Sequence, residues 1–168
     1  MQTGEPAKTY IAEALRRKRH VITTNKGPIA LHWDELSVIA HQHGVEIGVE
    51  GTVMSGTPVL RVGRELLNAA GICRIQGILN GTTNFILTRM ESGCSYAAAL
   101  AEAQSLGYAE ADPTGDVEGY DTAAKIAILS RLVLHQNVPF AEIERRGISG
   151  LTQEDITQAK HDGSCWKL

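Results

Sequence analysis

The chain has 168 residues, 43% of them hydrophobic, and a formal net charge of −3 at pH 7. That length and apolar content allow a core of domain size. The charges are of mixed sign, with no basic stripe, polybasic tail or aromatic–basic interleaving, so no nucleic-acid partner is expected. No apolar run approaches the roughly 20 residues of a membrane span, and the opening MQTGEPAKTY lacks the apolar centre of a signal peptide, so no membrane partner is expected either. Cys73, Cys94 and Cys165 are odd in number and have no CxxC spacing, which reads as reduced cytoplasmic thiols.

In chain order, residues 6–19 read as a helix, with Pro6 in the first turn and Ile11 and Leu15 on one face. HVITTN (20–25) reads as a short β-branched strand. A second helix opens at Pro28, carries Ile29, Trp33, Leu36 and Ala40 on its apolar face, and is capped by Gly44. VEIGV (45–49) is a second strand. This α-β-α-β rhythm is that of a parallel sheet with crossover helices. After the loop EGTVMSGT (50–57), Pro58 opens a helix to residue 68, and ICRIQGIL (72–79) reads as a strand. NGTTN (80–84) offers N-cap residues for a helix to about Ser92, and Ser95 caps another that ends at Gly107. An acidic loop fills 107–119. The helix 120–134 aligns Ile126, Leu129 and Val133, and Thr152 with Asp155 forms a capping box for a helix that ends at Gly163. Trp166-Lys167-Leu168 reads as the start of a strand.

The most informative stretch is Leu100 to Arg131. Its polar, glycine-containing loop carries Glu110, Asp112 and Asp116, and Asp121 and Lys125 follow at i, i+4 on a helix. Such a pair is either a surface salt bridge or, because Ile-Ala-Ile-Leu follows Lys125, a partly desolvated lysine suited to proton donation or to clamping an oxyanion. The loop itself is either a solvated turn or a receiver for a cation such as an amino-acid ammonium. TNK (24–26) ends a strand where doubly wound sheets bind ligands, so Lys26 either approaches a phosphate or carbonyl or is an exposed loop lysine. EGTVMSGT either holds a cation through Glu50 and backbone carbonyls or is a plain connection. The six histidines have no ligand spacing, and no GxGxxG, P-loop, HExxH or GxSxG motif occurs.

Together these residues resemble the homoserine dehydrogenase family. Its characteristic pattern runs through Ala103, Gly107-Tyr108, Asp112-Pro113, Asp116-Val117, Gly119, Asp121 and Lys125 with the family's spacing. HVITTNK, VEGTVMSGTPV, GILNGTTNFIL and GISGLTQEDI are similar to other family segments, in order. The resemblance implies an oxidoreductase that reduces L-aspartate 4-semialdehyde to L-homoserine with NADPH or NADH, on the route to threonine and methionine, in a cytoplasmic homodimer. It implies Lys125 as proton donor and Lys26 as a second lysine near carbonyl and nicotinamide. It assigns Glu110 and Asp121 to the substrate, chiefly through its ammonium, Asp116 to support of the lysine network, and Gly107 to the cofactor. It gives a sodium ion to Glu50 and the carbonyls of Val53, Ser55 and Thr57. The implied fold is α/β: the C-terminal part of a Rossmann-type parallel sheet (1–48), then an incomplete α+β catalytic and dimerisation domain with a mixed sheet (49–168). The family's first strand and glycine-rich phosphate turn are not in this sequence. The alternative is therefore a non-catalytic fragment that folds and dimerises without binding cofactor productively.

Overall fold

A computed structural model describes residues 3–168. The chain divides into two compact units. One runs through Ile75 and resumes over Ala124–Ile143; the other comprises Gln76–Ala123 and Glu144–Leu168.

The first unit is built on a β-α-β crossover. Strand β1 (Val21–Ile22) and strand β2 (Ile47–Gly48) are parallel, with Val21 opposite Ile47 and Ile22 opposite Gly48. Helix α2 (Lys26–His43) joins them, as parallel strands require a long connection. Helix α1 (Ala7–Arg16) packs on α2, burying Ile11, Ala12 and Leu15, while α2 buries Ile29, Leu36, Ile39 and Ala40. The α2 helix begins at Lys26, two residues before the expected start. The Asn25 side chain accepts from the Gly27 N–H at 3.2 Å, and Pro28 then falls in the first turn, where its missing donor is harmless. At the other end Gly44 takes a left-handed φ of 67°, as a C-cap requires.

The expected helix 58–68 is interrupted. Val59–Arg61 (α3) is helical, Val62–Leu66 widens into a π-turn, and Asn68–Ala70 is a 3₁₀ turn. Gly63 sits against Val133 at the end of the helix 120–132, so close that a Cβ there would lie 2.6 Å from Val133 Cγ1. The segment 72–79, read as a strand, is irregular and largely exposed, Ile78 to 44%. Its β-branched composition favours extension, but a strand forms only against a neighbour. Trp166–Leu168 likewise forms no strand. The Trp166 indole N–H donates to the Asp155 carbonyl at 3.2 Å, and the ring packs on the second unit's core.

That second core is formed by α4 (Gly81–Glu91), α5 (Tyr96–Ser105) and α8 (Gln153–His161). Ile86, Leu87 and Met90 of α4 meet Ala99 and Ala103 of α5, whose small side chains let the two helices approach closely. Ile148, Leu151 and Ile156 complete the cluster. Ser95 caps α5 and a reciprocal Thr152/Asp155 box caps α8, as read from the sequence, and within the cap-rich NGTTN it is Asn80 that caps α4. A short helix, α6 (Thr114–Val117), lies inside the acidic loop, and α7 (Tyr120–Leu132) follows. Along α7 Leu129 and Val133, just past its end, are buried as expected, but Ile126 is 36% exposed. The covered face is instead carried by Ala123, Ala124, Ala127 and Ile128. No described helix is long and apolar enough to cross a membrane.

Candidate active site

The start of α4 organises the acidic loop. Asn80 is 4% exposed, and its side-chain oxygen accepts from the Thr83 N–H at 2.8 Å and from the Thr83 hydroxyl at 3.0 Å. An N–H can only donate, so the amide oxygen faces Thr83 and the nitrogen faces the other way. That nitrogen donates to Asp116 Oδ1 at 2.7 Å and to Asp121 Oδ2 at 2.9 Å. Asp121 is itself buried at 8% exposure. The two carboxylates therefore share one amide, each taking one of its hydrogens. Two residues into α4, the Thr82 hydroxyl donates to the Tyr108 carbonyl at 2.7 Å, tying the same helix end to the turn that begins the loop.

Gly107 is held in the left-handed region, φ 77°, by the end of α5. Its N–H donates to the Gln104 carbonyl at 3.0 Å, and the Tyr108 N–H donates to the Ala103 carbonyl at 2.8 Å, the paired bonds of a Schellman turn. The space beside Gly107 where a Cβ would stand is open. Glu110 is exposed, and its backbone carbonyl accepts from Gln104 Nε2 at 3.1 Å. Asp112 accepts from the Thr114 N–H at 3.1 Å just before α6, and the Thr114 hydroxyl and N–H hold its carboxyl below the usual carboxylate range. Burial pushes the Tyr96 phenol up, and the Glu118 carboxylate adds to that. Lys125 lies one turn beyond Asp121 along α7 and is half-buried.

In the first unit, Lys26 is the half-buried opening residue of α2, just past the carboxyl end of β1. Glu50 accepts backbone N–H bonds on both oxygens, from Leu60 at 3.0 Å and Arg61 at 2.9 Å, so it caps α3 in its own right. Val53 is buried, Ser55 and Thr57 are exposed, and Met54 and Ser55 both take positive φ, 57° and 54°. Consecutive left-handed non-glycine residues are uncommon and turn this loop sharply. No group of three or more His, Cys, Asp or Glu side chains among the described residues forms a metal cluster. The cysteines are free thiols.

Asn80 and Gln104 are the members of this constellation that sequence reading missed. NGTTN gave the cap, but the carboxylates that Asn80 bridges lie 36 and 41 residues further on, beyond the reach of any local pattern.

The homoserine dehydrogenase family model matches residues 58–168. The NAD(+)-dependent homoserine dehydrogenase of Pseudomonas canavaninivorans is 49% identical over 98% of this chain and 47% of its own length. A solved homoserine dehydrogenase from Thiobacillus denitrificans superposes with a TM-score of 0.91 at 40% identity, covering 98% of this chain and 38% of that one. A hyperthermophilic archaeal homoserine dehydrogenase mutant, solved in complex with NADPH, gives 0.81 at 38% identity over 88% of this chain and 46% of its own. The likeness defines the fold as the α/β fold of these dehydrogenases. More narrowly, the chain belongs to the homoserine dehydrogenase family. It spans about half the length of the curated relatives it matches.

Proposed function

We propose that this chain forms the substrate-binding and proton-donating part of an NAD(P)-dependent homoserine dehydrogenase, which interconverts L-aspartate 4-semialdehyde and L-homoserine. The observation that carries the reading is the pair Asp116 and Asp121, held by one buried amide in a chain of this family. A concentrated negative charge of this kind suits an amino-acid ammonium and repels phosphate. Asp121 and Glu110 receive the ammonium, and Asp116 supports the lysines. When bound, the nicotinamide supplies hydride to the aldehyde carbon. The carbonyl oxygen then needs a proton, which Lys125 Nζ donates, and in the reverse direction takes back. Lys26 offers a second positive charge to the developing alkoxide. The open, glycine-only face at Gly107 fits close approach of the cofactor to backbone.

The loop 50–57 fits a sodium ion held by a carboxylate lone pair of Glu50 left over from its capping bonds, with the carbonyls of Val53, Ser55 and Thr57. A homodimer in the cytoplasm is the setting this reading implies.

The test is L-homoserine oxidation with NAD or NADP, followed by nicotinamide absorbance. Turnover that Lys125→Ala abolishes, with the fold unchanged by circular dichroism, supports the assignment. Turnover retained by that variant contradicts the role given to Lys125. The second reading is a non-catalytic chain that folds and dimerises without binding cofactor productively. It predicts homoserine binding with no absorbance change.

A further inference from the structure

Asn80 does more than a cap needs. Serine and threonine cap helices as well as asparagine does, and Ser95 and Thr152 do so here. Neither of those side chains offers an acceptor together with two donor hydrogens in one plane. Asn80 uses all of these at once: the oxygen on Thr83, the nitrogen on Asp116 and Asp121. The residues around it are buried, Thr83 at 0% and Asp121 at 8% exposure, so the amide is fixed by the start of α4 and fixes the carboxylates in turn. Two like charges left to themselves would rotate apart. The bridge holds one oxygen of each within a hydrogen-bond length of the same nitrogen.

We propose that Asn80 is a positioning residue for the substrate, because its amide nitrogen fixes the carboxylate of Asp121, beside that of Asp116, in the orientation that receives an ammonium. This rests on the reading of Asp121 as a substrate carboxylate. Asn80 acts through the carboxylates and touches no reacting atom.

The test separates the donor role from the cap. Asn80→Ser keeps a capping hydroxyl but removes both N–H donors. Asn80→Asp keeps the cap and the shape, and replaces the donors with oxygen. L-Homoserine is titrated into wild type, both variants and Asp121→Asn by calorimetry, with thermal unfolding measured in parallel. The expected result is affinity lowered about ten- to a hundredfold in both Asn80 variants, for loss of hydrogen bonds to charged groups. The unfolding midpoint of Asn80→Ser should stay closer to wild type than that of Asn80→Ala, which lacks a cap, whereas Asn80→Asp, a third carboxylate beside two others, should unfold earlier. Wild-type affinity in a folded Asn80→Ser or Asn80→Asp overturns the proposal and leaves the ammonium site standing. Unchanged affinity in Asp121→Asn, or no binding by wild type, overturns the underlying reading and the role of Asn80 with it.

Discussion

Replacing Asp121 in two ways separates what the carboxylate does for the fold from what it does for a ligand. Asp121 Oδ2 accepts from Asn80 Nδ2 at 2.9 Å in a site where both residues are buried. Asp121→Ala leaves that N–H without its acceptor, and the unmet donor costs about 1–3 kcal/mol. With the small cavity added, the lost contacts cost about 2–3 kcal/mol before any relief of repulsion from Asp116. At a urea m-value of about 2 kcal/mol per molar, that cost alone lowers the unfolding midpoint by roughly 1 M. Asp121→Asn differs, because the new amide can turn its oxygen to Asn80 and keep the bond in neutral form. It forfeits the charge-assisted part, about 1 kcal/mol. It also relieves repulsion from Asp116: two charges about 5 Å apart at an effective dielectric near 20 repel by roughly 3 kcal/mol, before any compensation by neighbouring cations. That relief is common to both variants, so Asp121→Asn, which keeps its bond, should be more stable than Asp121→Ala by about 1–2 kcal/mol. Its affinity for L-homoserine should nevertheless drop about ten- to a hundredfold, since the ammonium loses its counter-charge. Urea unfolding and calorimetry on the same preparations decide the matter. If Asp121→Asn unfolds as readily as Asp121→Ala while binding homoserine like wild type, Asp121 is a structural residue and the reasoning fails.

Two further perturbations probe the frame around the site. Gly63→Ala places a methyl 2.6 Å from Val133 Cγ1 and 2.9 Å from Cγ2, on a stiff β-branched side chain. Overpacking of about 1–3 kcal/mol outweighs the gain of at most about 1 kcal/mol from replacing glycine, so urea unfolding should show a net loss. In a Val133→Ala background the same change should become neutral or stabilising, and failure to do so removes the packing explanation. The α8 capping box should respond to pH. The Thr152 N–H and hydroxyl hold the Asp155 carboxyl below its ordinary range, so its contribution is present above about pH 4 and disappears as pH falls through the depressed value. Asp155→Ala should therefore unfold earlier than wild type at neutral pH and match it near pH 2; a difference that persists in acid would contradict the cap.

What could be read from the sequence was local. Ser95, Thr152 with Asp155, and Gly44 mark helix ends through bonds to residues a few positions away, and each does so in the structure. The β-α-β rhythm was legible because strand and helix periods differ, and the parallel pair Val21–Ile22 and Ile47–Gly48 follows from it. The strand at 72–79 was not determined by its own residues, because pairing depends on a neighbour. The break in the helix after Pro58 was hidden too: it accompanies the meeting of Gly63 with Val133, seventy residues away. Glu50 was read as a cation ligand, and its capping of Leu60 and Arg61 across a loop gave no sequence signal. The acidic segment was recognisable as a pattern of types and spacings, but the amide that joins Asp116 to Asp121 came from a different helix.

The most direct test of the account is a calorimetric comparison of L-homoserine with 4-hydroxybutanoate, which has the same carbon chain and terminal hydroxyl but no ammonium. If Asp121 and Glu110 receive an ammonium in the site that Asn80 shapes, the chain binds homoserine and gives no measurable heat with the deaminated compound. Equal binding of the two, or binding of neither, would contradict it.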